Sequence, residues 1–552
     1  MRHAPHALRA AGFTLTLISL SLLSACGGGG GSSDTAAAAT GTVQVGVTDA
    51  PTPDFDHVWV TIKEIRFHTS DAAGPDEAGW LKYPLASPMT VDLTTLNSGQ
   101  IANFLNQIAL PVGHYQQIRL VLADSNDPLT ASAAAHSLNY NDQVDFTLGG
   151  TGVSMPLEIP TPGDGIAVGG SFDVAAGKTL RLIFDFNLKN DVVKFLHGGS
   201  PAFTLKPNLH YFDLDHVGAI NGRIDTASLT AAGGYNLVIK AEKLDADGTR
   251  HEVVRETGVR PDGSFTLFPV PVSSTSDTVD VVVRGRNIET TIIKGVTVTQ
   301  GSDATHNATV LTLNPLPVKA STEYAANLAT GGLVPTGGWV DFYQTLPVVS
   351  GPEVPYEVRF RNGNPYTGNF TNDIELSSGK LQYGNFNPGG DVSLTETDPQ
   401  EGAGSFQALA RAPWFTATAA TATVTPMVGA TTTVNFPALT PAAGASGDSI
   451  SGTITQTAGT YDKGYVVVTR RGAVISTMPL DSVLAQAGGT GGAFTVSNIP
   501  GGSPSTPRPG AVYSLFVRAW SSAHPMRVHT QWLTARADLR NGSASGIAFT
   551  LQ

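Results

Sequence analysis

The sequence predicts a mostly β protein: tandem β-sandwich domains on a flexible amino-terminal tether, with one or two short helices in the first domain. Three observations lead there. Charged residues make up only 14% of the 552, against about 25% in an average globular chain, and 61 glycines and 35 prolines break the chain into short extended runs. Apolar and polar residues alternate in one run after another, as at Val43, Val45 and Val47, the period of a half-buried strand. Finally, one unit occurs twice, opening as Ile220-Asn221-Gly222-Arg223-Ile224 and as Ile450-Ser451-Gly452-Thr453-Ile454, which makes the chain modular.

At the amino terminus, Arg2 and Arg9 precede the apolar run FTLTLISLSLLSA, which is shorter than the ~20 residues of a membrane span. Residues 1–25 therefore read as a signal peptide. The run ends Leu23-Ser24-Ala25-Cys26, which resembles the lipobox of bacterial lipoproteins. That resemblance implies cleavage before Cys26, lipidation of its sulfur and acylation of the new amino terminus, so the membrane becomes a partner through a lipid anchor. Two or three acyl chains hold firmly where one does not. With Gly27 rather than Asp after the cysteine, the lipoprotein pattern implies the outer membrane, facing the periplasm or the cell surface. Cys26 is the single cysteine, so no disulfide forms within the chain. After Cys26, residues 27–41 continue as GGGGGSSDTAAAATG without apolar pattern, and 26–41 read as the tether. The formal charge of −12, lowered further by loss of Arg2 and Arg9, argues against nucleic acid and against a polybasic grip on lipid.

The first domain spans residues 42–216. In HVWVTIKEIRFH, Val58, Val60 and Ile62 share one face while Ile65 and Phe67 have the other parity, which predicts a β-bulge near Lys63 or Glu64. Ile101, Phe104, Leu105 and Ile108 stand at helical spacing between Ser98 and Pro111 and predict a short helix. LRLIFDFNL turns Leu182, Phe184, Phe186 and Leu188 inward, with Arg181, Asp185 and Asn187 outward.

Taken in order, Thr48-Asp49-Ala50-Pro51, the Val58/Val60/Ile62/Ile65 strand, Trp80, Val91-Asp92-Leu93 with Leu96, Leu110-Pro111 with Gly113 and Tyr115, Ile183-Phe184-Asp185-Phe186 and Leu205-Lys206-Pro207 resemble a bacterial lipoprotein domain catalogued as domain of unknown function 4382. The resemblance implies a β-sandwich and brings no established chemistry. Asn187 stands where that family is expected to carry a second acid.

Residues 217–314 and 448–552 hold the repeated unit. Gly222 precedes Gly234 by the same interval as Gly452 precedes Gly464, Phe265 aligns with Phe494, and Arg284 and Arg518 fall in matching strands VVVRG and LFVRA. Both copies resemble the carboxypeptidase-regulatory-like or prealbumin-like sandwich, a seven-strand fold associated with carbohydrate-binding-like superfamilies. Modules of that kind serve as spacers or binding platforms. Residues 318–440 share only the ending of the unit and are expected to form a diverged sandwich.

For chemistry the sequence offers little. Gly447-Asp448-Ser449 and His197–Ser200 resemble hydrolase fragments, yet neither sits at a strand-to-helix elbow. LDADGTR carries Lys243 where a calcium loop needs its first acid, and Asp247-Gly248 reads as a hairpin turn. Asp49, Asp54, Asp56 and His57 crowd one loop and are the candidate binding group, with oxygen ligands suited to calcium. The competing reading has Asp49, in phase with a buried face, accepting backbone N–H bonds from its own turn. Trp339, Tyr343, Tyr356, Tyr366, Trp520 and Trp532 are either glycan-stacking platforms or core residues. No catalytic residue, no metal site and no cofactor is assigned. The function expected is a non-catalytic outer-membrane lipoprotein presenting its modules for binding or adhesion to a glycan or surface-protein ligand. The alternatives are a polysaccharide-processing enzyme or accessory with a carboxylate site hidden in the third module, and a calcium-stabilised surface protein.

Overall fold

Val43, Val45 and Val47 are fully buried on the strand Thr40–Ala50, which pairs in parallel with Thr179–Asn187 and antiparallel with Ala102–Pro111. The computed structural model describes residues 39–552 apart from 51–53, 97–98, 198–199, 207, 227–236, 286–287, 302, 315–322, 328–337, 346–353, 367–368, 374–380, 389–391, 397–405, 418–430, 438, 443–444, 526 and 533–535. Cys26 and the tether up to residue 38 lie outside the described residues.

The first domain is a 12-stranded sheet that folds over so that its inner faces share one core, from Val43 on the first strand to Leu205 and Leu209 near the end. Strand His57–His68 slips register between Ile62 and Glu64 against Leu81–Asp92 and against Gln117–Leu122. The bulge re-phases the strand, so Val58, Val60, Ile62, Ile65 and Phe67 are all buried.

The helix expected around Ile101–Ile108 is instead the strand Ala102–Pro111. Its pairing with the first strand slips twice, between Val43 and Val45 and between Val45 and Gly46. Each extra residue resets the two-residue period, and the reset spacing imitates a helical one. The short helices of the domain are Ala131–Ala135, capped by the Thr130 hydroxyl accepting the Ala133 N–H at 3.2 Å, and Leu188–Asp191.

Beyond residue 216 the chain forms tandem β-sandwiches. In the second module, Val217–Ile224 lies between antiparallel Ser264–Pro271 and parallel Asp303–Leu311. In the last, Ser446–Gln456 lies between antiparallel Gly491–Gly501 and parallel Ala544–Leu551. Each three-stranded sheet faces a second one, ordered 251–258, 238–244, 276–284, 290–299 in one copy and 473–479, 463–470, 512–520, 528–532 in the other. Even the bulge recurs, between Gly218 and Ile220 and between Asp448 and Ile450. The third region repeats the smaller sheet with Glu323–Asn327 between antiparallel Asn369–Asp373 and parallel Thr431–Asn435. Its strand Leu381–Asn385 joins the second module by pairing with Thr290–Thr299.

The glycine of the I-x-G-x-I motif has a steric cause. A Cβ on Gly222 would lie 2.3 Å from the Phe265 ring, and one on Gly452 would lie 2.0 Å from the Ile547 carbonyl oxygen. A ring can shift and a paired backbone cannot. Gly222→Ala is expected to cost about 1–3 kcal/mol of stability, with Gly452→Ala costing more, as read from urea unfolding. Equal and negligible losses would contradict this account.

Candidate functional site

The parallel strands Thr40–Ala50 and Thr179–Asn187 end side by side, with Thr48 opposite Asp185 and Asp49 opposite Phe186. Their ends carry acids into the interior. Asp49 is fully buried and its Oδ1 accepts the Leu188 N–H at 3.1 Å, while Oδ2 has no partner. Burial raises its pKa well above the carboxylate range against the pull of that N–H. At the start of the helix Leu188–Asp191, the Asn187 N–H donates to Asp191 Oδ2 at 2.9 Å. Burial lifts Asp191 to about 7.

The second module answers with Arg255, 3% exposed on strand His251–Gly258. Its Nη1 bonds the Asp185 carboxylate and its Nη2 donates to the Asp49 carbonyl at 3.0 Å. Burial raises the Asp185 pKa, and Arg255 opposes that rise. Next along the strand, Glu256 accepts from Asn187 Nδ2 at 2.8 Å. Burial alone would raise Glu256, but Lys189, Lys240 and the Asn187 bond together hold it below its usual value.

The third region closes the ring. Lys206 Nζ donates to Asn362 Oδ1 at 2.5 Å and stands 4.3 Å from the centre of the Trp339 ring. Asn362 Nδ2 in turn donates to the Asn190 carbonyl at 2.6 Å. Burial lowers Lys206 to about 7, against the charges of Asp191 and Asp341. Asp341 accepts from Trp339 Nε1 at 3.2 Å and lies 3.0 Å from Arg411 Nε. Burial and the Glu357 charge lift it to about 8. Arg411 Nη2 donates to Glu252 and to the Tyr343 hydroxyl at 3.0 and 2.9 Å, and buried Lys240 donates to Glu357 Oε1 at 2.8 Å.

Among these groups opens a cleft of about 480 Å³. The first domain contributes Asp185, Asn187, Asn190, Asp191, Asn208 and His210, the second module Glu252 to Glu256, and the third region Trp339, Asp341, Glu357, Phe360 and Arg411. No one module contains the cleft; it is built where three of them meet.

The domain that supplies Asp49, Asp185 and Asp191 matches a family model: residues 40–207 fit the one described as "Domain of unknown function (DUF4382)". Over those residues the chain is similar to that family. No curated protein matches the chain. Solved structures give only faint likenesses. The Bacillus anthracis TIE protein is 10% identical over 95% of this chain and 75% of its own, at a TM-score of 0.14. A streptococcal ancillary pilin is 10% identical over 72% and 98%, at 0.13. The tip fimbrial protein Mfa3 from Porphyromonas gingivalis is 11% identical over 65% and 99%, at 0.15. At such TM-scores the likenesses carry no argument.

The DUF4382 domain also grips the last module. Arg518 bonds Glu158 and donates to the Tyr366 hydroxyl at 2.6 Å, and that hydroxyl donates to Glu158 Oε1 at 2.7 Å. Asp164 accepts from Ser514 and from Arg536 Nη2, the latter at 2.7 Å. Arg284 and Arg518, which match between the repeated copies, are thus both nearly buried, and each faces acids of a junction.

The four residues of the sequence-derived loop do not converge. Asp49 faces the junction, while His57 Nδ1 lies 2.6 Å from Asp92 Oδ2 and Asp56 accepts from the Thr147 hydroxyl at 3.0 Å. Asp54 acts on Arg284. Among the described residues no three His, Cys, Asp or Glu side chains come together as a metal site. Asp245 accepts the Thr249 N–H at 2.7 Å in the hairpin holding Gly248. Ser449 lies within the strand Ser446–Gln456, and His197 packs on Trp520 and meets the Pro525 carbonyl at 2.7 Å. Of the aromatic candidates, Tyr343, Tyr356 and Tyr366 are core residues. Trp339 and Trp520 are half-buried, and the side chain of Trp532 lies outside the described residues. Arg255, Asp191, Lys206 and Asp341 were missed as site residues. A visible signal was the charge inside otherwise apolar strands, as at Lys240 and Glu242 in VIKAEKL.

Proposed function

We propose that this chain is a non-catalytic binding protein of the bacterial envelope, held at the outer membrane by acylated Cys26 and displaying its ligand site at the junction around the DUF4382 domain. The observation that carries the reading is the cleft itself, whose walls come from three modules fastened by buried ion pairs. Such fastening gives a fixed concave surface of the kind that small-ligand sites use. The carboxypeptidase-regulatory-like resemblance of the two repeated modules agrees with a platform role, by fold analogy alone.

Anchoring is tested by fractionation. The wild-type protein is expected in the membrane fraction and to incorporate labelled palmitate, whereas Cys26→Ser is expected unlabelled and soluble. A Cys26→Ser protein that stays in the membrane overturns the anchor. Incubation with polysaccharides is expected to release no sugar; released sugar would transfer the cleft carboxylates to a hydrolase reading.

A further inference from the structure

The binding reading leaves the ligand open, and the cleft narrows it. Its lining carries six carboxylates, on Asp185, Asp191, Glu252, Glu256, Asp341 and Glu357, against the guanidinium groups of Arg255 and Arg411. An anionic ligand entering there meets acids that outnumber the guanidinium groups, with Glu256 held ionised by its cationic neighbours, and like charge at such a site costs several kcal/mol. The cleft is equally unsuited to a purely apolar guest, because Asn190 and Asn208 each carry an amide able both to donate and to accept. On the opposite wall Trp339 and Phe360 stand with ring centroids 6.2 Å apart and planes 29° from parallel. Trp339 is half-buried and lines the cleft, and its indole is oriented by the Nε1–H bond to Asp341.

We propose, resting on the binding reading, that the cleft takes a neutral polyhydroxylated ligand, an uncharged glycan, with a sugar ring against the part of Trp339 that Lys206 leaves open to the cleft and its hydroxyls shared among the asparagines and the carboxylates. Sugar C–H faces pack on aromatic rings, and each hydroxyl donates and accepts, which matches a wall of mixed acceptors and donors. The volume of about 480 Å³ falls within the range of small-ligand sites. The site belongs to the assembled chain, because the platform and the asparagines come from different modules.

The test is native affinity electrophoresis of the full mature chain in gels containing starch, laminarin or xylan as neutral polymers and alginate as an anionic one. At least one neutral polymer is expected to retard the wild type, and alginate none. Trp339→Ala is expected to weaken retardation at least about tenfold. Asn208→Ala, a smaller change at the cleft wall, is expected to weaken it by a lesser factor with an unchanged thermal midpoint, which separates a binding loss from misfolding. Retardation by alginate alone, or wild-type behaviour in both variants, overturns the inference. Retention on immobilised outer-membrane proteins with none in any glycan gel also overturns it while leaving the binding reading intact, and no retention on either overturns both.

Discussion

Arg255→Met is expected to lower the unfolding free energy by about 3–5 kcal/mol, because it leaves largely buried carboxylates without their cation. Asp185 loses its guanidinium partner, and the Asp49 carbonyl loses its donor. Asp49 already holds one carboxylate oxygen without a bond, and burial already raises both acids. The pair itself need not be stabilising for this loss to be large, since two well-packed apolar groups often do as well as a buried ion pair. That asymmetry supplies the check. Adding Asp185→Asn to Arg255→Met removes the stranded charge, and urea unfolding of the double variant is expected to recover a large part of the loss, with a coupling energy of at least about 1 kcal/mol. Strictly additive losses would mean that the guanidinium is not meeting Asp185.

How far such a junction can be read from sequence depends on what each pattern encodes. Strand alternation reports which side of a strand faces a core, and it placed Asp185 and Asn187 on the outer face of Thr179–Asn187. That face does look away from the domain core, yet it looks toward a neighbouring module, and nothing local separates a polar side chain in water from one against a guanidinium 70 residues further on. The bulge at Ile62–Glu64 was legible because the parity of buried residues changes once, in the middle of a long apolar run. The bulges on Ala102–Pro111 were not, because two slips within a few residues leave a spacing that a helix would also produce. Repetition was the more reliable guide. It located Gly222 and Gly452 at close approaches of the backbone, and it paired Arg284 with Arg518, whose burial in both copies marks the outer faces of these modules as packing surfaces.

Stability is expected to peak near pH 4 and to fall as the pH rises toward 7, opposite to what a set of ordinary surface ion pairs would give. Asp191, at about 7, and Asp341, at about 8, keep protons in the folded chain that the unfolded chain releases near 4. For an acid raised in this way the folded state binds more protons across the interval, so unfolding free energy declines with pH from about 4 up to the folded value and is flat beyond it. Lys206 works in the other direction. Lowered to about 7, it carries its full burial penalty below that pH and is relieved between about 7 and ~10.4, where the unfolded lysine still holds a proton. On the acid side, Asp245 and Asp277, both held at about 2, stabilise the chain above about 4 and lose that contribution only as the pH falls toward 2. The maximum therefore lies where the low carboxylates are ionised and the junction carboxylates are still protonated. Asp341→Asn keeps an oxygen for Trp339 Nε1 and removes the titration, so its thermal midpoint is expected to change less between pH 5 and pH 8 than that of the wild type. Lys206→Met is expected to abolish the recovery above pH 7. Thermal unfolding of the three proteins across pH 4–9 decides the matter: a wild-type midpoint that rises steadily from pH 5 to pH 8 would show that Asp191 and Asp341 ionise without cost, in a junction far wetter than the one described.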